Sequence, residues 1–126
     1  MHRSGFTLIE LLITLAIVGI LTSIAYPTYR HHIVKVRRAH ATVLLMDLAA
    51  QLEQRYNENH SYEGTNDLLP EDKFYRFEVE AEENDYLIKA IPINAQTADT
   101  KCAILMLDHL GNKTITGTGT IMNCWP

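Results

Sequence analysis

From Leu11 to Tyr29 the chain carries 19 consecutive residues without a charge, most of them Leu, Ile and other apolar types. Extended backward to Phe6 the segment has 24 residues and a single ionisable side chain, Glu10. As a helix rising about 1.5 Å per residue it would be roughly 36 Å long, enough to cross a bilayer. A chain of 126 residues is too small to hide such a helix in its own core. A cleaved secretory signal has a shorter apolar stretch followed by small residues. Here the downstream flank is Ala25-Tyr26-Pro27-Thr28-Tyr29-Arg30, with tyrosines suited to a water–lipid interface.

The remainder has a different character. The first 40 residues carry a net charge of +4 and the other 86 a net of −8. Beyond the apolar run the composition is that of an ordinary soluble domain, so the chain is bipartite and leaves no room for a multidomain enzyme. The acidic balance beyond residue 40 argues against nucleic acid as a partner. Residues 41–56 repeat apolar side chains at helical spacing (Ala41, Leu44, Leu45, Leu48, Leu52, Tyr56), so the helix is expected to resume after Pro27, which should kink or locally open it. Residues 57–73 read as a long loop. Strands are expected at residues 75–81, 86–91 and 103–107, with a short fourth at 113–116. A helix followed by antiparallel strands is an α+β arrangement.

A short leader, Met1-His2-Arg3-Ser4-Gly5, precedes Phe6-Thr7-Leu8-Ile9-Glu10. Gly-Phe-Thr-Leu-Ile-Glu opening an apolar helix resembles the processing signature of type IV pilins and the related pseudopilins. Residues 91–111 and the closing Asn123-Cys124-Trp125 resemble the carboxy-terminal half of PilE-type minor pilins. The resemblance implies a long amino-terminal helix packed on a sheet of three or four strands. It also implies cleavage between Gly5 and Phe6 and methylation of the new terminus at Phe6 by a prepilin peptidase and methyltransferase. The expected parts are a leader (1–5), a membrane or filament-core segment (6–29), an amphipathic continuation (30–56) and a globular head (57–126). Expected partners are other pilins, through the helix, and the inner-membrane assembly platform. The expected location is the inner membrane with the head periplasmic, then the pilus surface, supporting pilus biogenesis, twitching motility or adhesion.

Glu10 is costly in lipid and needs a partner. The resemblance supplies one, the modified amine at Phe6 of a neighbouring subunit, a pairing that would set axial register. Arg30, Lys35, Arg37 and Arg38 read as a solvated collar facing lipid headgroups, and their number opposes the orientation the resemblance implies. Cys102 and Cys124 on an exported domain are expected to be bridged. Reduced thiols or a metal site are the other readings, the latter lacking a second cysteine pair. The scattered histidines and Glu78, Glu80 and Glu82 read as solvated, and residues 117–119 as a flexible turn. No catalytic constellation and no cofactor are expected. Rival functions are a pseudopilin of a type II secretion system and a DNA-binding pilin of the uptake machinery.

Overall fold

A computed structural model describes residues 4–126, so most of the leader (1–3) lies outside the described residues. One helix, α1 (Leu8–Asn59), runs through Pro27 without a break in its helical assignment. The chain divides into two units, Met1–Ile33 and Val34–Pro126, so the second begins inside the helix.

In the first unit nearly every large apolar side chain is exposed, from Phe6 at 85% to Tyr29 at 62%. Four hydroxyl side chains inside this part of the helix turn back on it. Thr14 donates to the Glu10 carbonyl, Thr22 to Val18, Ser23 to Ile20 and Thr28 to Ile24, at 2.7–3.0 Å. Each hydroxyl is thereby satisfied without water, which is what a surface facing hydrocarbon requires.

In the second unit the helix presents Ala41, Leu45, Leu48 and Leu52, all 1% exposed or less, to a four-stranded antiparallel sheet. The strands follow chain order: β1 (Tyr75–Ala81), β2 (Tyr86–Pro92), β3 (Leu105–Asp108) and β4 (Lys113–Ile115). Register pairs Phe77 with Ala90, Val79 with Ile88, Ala90 with Leu105 and Ile88 with Leu107. Side chains alternate between faces, so Tyr75, Phe77, Ile88, Ala90, Leu105 and Leu107 all join the helix stripe in one core. Burying a Leu-sized side chain contributes about 1.5–3 kcal/mol, and this stripe is what holds helix and sheet together.

The structure departs from the sequence expectations in the connections and at β3, which starts at Leu105 rather than Ala103 because Ala103 takes a left-handed conformation (φ 52). The helix extends three residues past 56, and His60, in the left-handed region (φ 56), ends it while its N–H bonds the Tyr56 carbonyl at 2.7 Å. The loop that follows is pinned rather than free. Arg55 donates to the Gly64 carbonyl at 2.9 Å and to both carboxylate oxygens of Asp67, which contributes to a short 3-10 turn (Asn66–Leu68). That bonding holds the Asp67 carboxyl below the usual carboxylate range and raises the Arg55 guanidinium. Another 3-10 turn (Asn94–Ala98) joins β2 to β3, and a four-residue helix, α2 (Ile121–Cys124), lies near the carboxy-terminal end.

Candidate functional site

The helix start is built by a reciprocal pair. Thr7 N–H donates to Glu10 Oε2 at 2.9 Å, and Glu10 N–H donates to Thr7 Oγ1 at 3.2 Å. This is a capping box: it satisfies two amides that no helical carbonyl can reach and stops the helix at Leu8. Ser4, Gly5, Phe6 and Thr7 therefore lie outside the helix, and nothing approaches within 4 Å of the position a Gly5 side chain would take. Glu10, which the sequence left needing a partner, has one in its own chain. Pro27 lies inside α1, so the Ser23 carbonyl lacks the amide it would otherwise accept from.

The basic run is not a uniform collar. Arg38 makes a bidentate pair with Asp99, Nε to Oδ2 at 2.9 Å and Nη2 to Oδ1 at 2.8 Å, with side chains only 12% and 2% exposed. Arg37 lies over the Phe74 ring, 3.6 Å from its centroid. Arg30 stands over Tyr26 at 5.9 Å, and Lys35 is exposed. The reason is helical spacing, which turns successive residues in different directions and brings Arg38 against the loop after β2. Beside this clamp, Gln96 Nε2 donates to the Val34 carbonyl at 3.0 Å and to Tyr75 Oη at 2.9 Å. Burial pushes the Tyr75 hydroxyl up to about 12. Asp99 and Gln96 escaped the sequence reading because their partners are 61 and 62 residues away and no local pattern announces them.

Cys102 and Cys124 are joined, with Cα atoms 5.7 Å apart. Inside the loop they close, residues 116–119 lace along residues 100–104: Thr116 N–H bonds the Ile104 carbonyl, Gly117 that of Cys102 and Gly119 that of Lys101. A Cβ at Gly117 would fall on the Lys101 carbonyl, and one at Gly119 would lie 2.9 Å from its oxygen. The two glycines are thus sites of close backbone approach rather than a flexible turn. Thr120 caps α2 through Asn123 N–H, and Trp125, 4% exposed, donates from Nε1 to the Thr114 carbonyl at 3.2 Å. The braced helix leaves Ile121 46% and Met122 89% exposed.

The acidic strand residues are paired on the surface: Lys89 with Glu80 at 2.9 Å and Arg76 with Glu78 at 3.3 Å. Asp108 accepts from the Leu110 and Asn112 amides and from Asn112 Nδ2; these bonds outweigh partial burial and lower its carboxyl. His40 approaches Asp72 at 3.7 Å. Among the described residues no three His, Cys, Asp or Glu side chains converge on a point that could hold a metal ion.

Residues 1–26 match the family model described as the prokaryotic N-terminal methylation motif. Residues 27–106 match that of "Type IV minor pilin ComP, DNA uptake sequence receptor". The fold resembles a type IV pilin from Shewanella oneidensis (29% identity, TM-score 0.60, covering 74% of this chain and 98% of that one). It also resembles the Neisseria meningitidis non-core minor pilin PilV (20% identity, TM-score 0.60, covering 71% and 92%). A fimbrial protein of Neisseria meningitidis serogroup B is 34% identical over 64 residues, 51% of this chain and 38% of the relative. Fimbrial protein EcpB of Eikenella corrodens is 54% identical over 35 residues, 28% of this chain and 22% of the relative. The matched stretches thus span well under half the length of these relatives. Processing motif, apolar helix and disulfide-stapled sheet together define a type IV pilin, a structural subunit. Within that class the chain belongs to the minor pilin family that residues 27–106 match.

Proposed function

We propose that this minor pilin is inserted with residues 1–5 cytoplasmic and Val34–Pro126 exported, and is cut between Gly5 and Phe6 by a peptidase that also methylates Phe6. It then enters the pilus by exchanging the lipid around residues 6–29 for the helices of other pilins, with the assembly platform driving the exchange. The observation that carries this reading is the exposed apolar helix whose Thr14, Thr22, Ser23 and Thr28 hydroxyls are already satisfied, following a methylation motif. Such a surface is at home in lipid and in a helix bundle alike. The clamping of Arg38 and the stacking of Arg37 weaken the charge count that opposed this orientation.

Glu10 acts in two settings on this reading. In the single subunit its carboxylate caps its own helix at Thr7. In the fibre it turns to the methylated amine at Phe6 of a neighbour, and a subunit docked out of register would bury an unpaired charge. Glu10→Ala is expected to be cleaved at Gly5 but to be missing from sheared fibres. Normal piliation in a strain relying on that variant overturns this role.

A second reading, DNA uptake, is favoured by the description of the family model for residues 27–106. The net −8 beyond residue 40 opposes it. Salt-dependent retention of duplex DNA by the detergent-solubilised full chain decides between them, and its absence leaves the pilus-subunit reading alone.

A further inference from the structure

We propose that the α2 tip, Ile121 and Met122 with Lys35 beside it, is a foot that seats the exported unit on the anionic outer face of the same bilayer its helix crosses. This rests on the reading that residues 6–29 span the membrane with Val34–Pro126 exported.

Met122 is the most exposed large apolar side chain described, at 89%, and it does not belong to a mobile tail. Its helix is held by the disulfide at Cys124, by the Thr120 cap and by Trp125, which is buried and bonded to Thr114. With Ile121 beside it, Met122 forms a fixed apolar patch of the kind that marks an interaction site rather than a lone exposed side chain. The groove beside it is lined by Met122, Asn123, Lys35, Arg38 and Ala39; the charge of Arg38 is matched by Asp99, so among the described residues Lys35 is the free cation of this lining. Lys113 Nζ stands 5.5 Å from the Trp125 ring centroid. Within a region that is net negative, this tip combines apolar side chains with cations.

The tether selects the occupant. Lys35 follows Arg30, the first charge after the apolar run, by five residues, which span at most about 18 Å even fully extended. Chain length alone thus keeps Lys35 within that reach of the end of the apolar run, so a bilayer around that run is available to it at a high effective concentration. An apolar side chain flanked by lysine is the chemistry of an interfacial anchor: Met122 and Ile121 enter the headgroup and acyl boundary while the Lys35 ammonium meets lipid phosphate. A nucleic acid would use the cations and leave Met122 in water.

The test uses the chain's only tryptophan, Trp125, one residue from the α2 helix end. The full chain is reconstituted into phosphatidylethanolamine–phosphatidylglycerol vesicles carrying lipids brominated high on the acyl chain, and into brominated vesicles of phosphatidylcholine alone. Strong quenching of Trp125 is expected in the anionic vesicles and weaker quenching in the neutral ones. Met122→Asp, at a position too exposed to disturb packing, is expected to shift the seated-to-free ratio by about tenfold, and Lys35→Gln by less. Equal quenching in the parent chain and both variants overturns the proposal. So does quenching that changes with protein-to-lipid ratio, which would assign the tip to a second copy. Relief by added duplex DNA, larger than that from Met122→Asp, would assign it to nucleic acid instead. Failure of the chain to float with the vesicles sinks the membrane-spanning reading itself, whereas flotation without quenching rejects only the foot.

Discussion

Replacing Arg38 by Met keeps most of the side-chain volume and removes the charge that Asp99 was buried against. The Asp99 side chain is 2% exposed, and its remaining donor is the Cys102 amide at 3.4 Å. Removing one partner of a buried pair costs about 3–5 kcal/mol, because the survivor keeps its desolvation penalty without compensation. For a unit the size of Val34–Pro126 that corresponds to a fall in Tm on the order of 15–30 °C, a large share of ordinary domain stability. Thermal unfolding of the full chain in detergent, followed by Trp125 fluorescence, reads it directly. Asp99→Asn is expected to cost less, since the guanidinium left behind is partly hydrated. The double variant should recover at least about 2 kcal/mol of the summed loss, the signature of direct coupling. If Arg38→Met costs less than about 1 kcal/mol, comparable to an exposed pair, Arg38 is a surface charge after all and the clamp is refuted.

Gly117→Ala is expected to destabilise by about 2–3 kcal/mol, because the new methyl meets the Lys101 backbone; Gly64→Ala, with open space and only its positive φ (73°) against it, should cost about 1 kcal/mol in the same denaturant titration. Reduction of Cys102–Cys124, or its double Ser replacement, removes a link of sequence separation 22 and should lower stability by about 3.4 kcal/mol, measured as a shift in urea midpoint. Burial pushes Tyr62, Tyr75 and Tyr86 each from 10 up to about 12, so their neutral forms favour the fold. The stability they contribute is intact below pH 10 and is lost as pH rises toward about 12, where phenolate absorbance and unfolding should appear together; full ionisation near pH 10 with the fold intact contradicts this.

The parts written in local pattern were legible. Alternation at Tyr75, Phe77, Val79 and Ala81 marks β1 at its observed bounds, and the stripe from Ala41 to Leu52 marks the face that meets the sheet. The capping box is likewise spelled locally, in Thr7-Leu8-Ile9-Glu10, although the cost of a carboxylate in lipid makes Glu10 look as if it needs a partner from outside the chain. What local pattern could not carry was contact across distance. By sequence Arg38 is one more cation of a solvated collar and Gly117 part of a flexible turn; the structure sets Asp99 against the one and the Lys101 backbone against the other. The first joins residues 61 apart, and the second arises where the chain inside the disulfide loop folds back on residues 100–104, paths that no periodicity records.

The inward-turned hydroxyls of Thr14, Thr22, Ser23 and Thr28 have a consequence for traffic in both directions. Since none of them relies on a neighbouring molecule, these positions favour neither hydrocarbon nor bundle by more than a small margin. On the reading proposed above, a subunit leaving the fibre would meet no hydrogen-bonding penalty at these four positions on re-entering the bilayer.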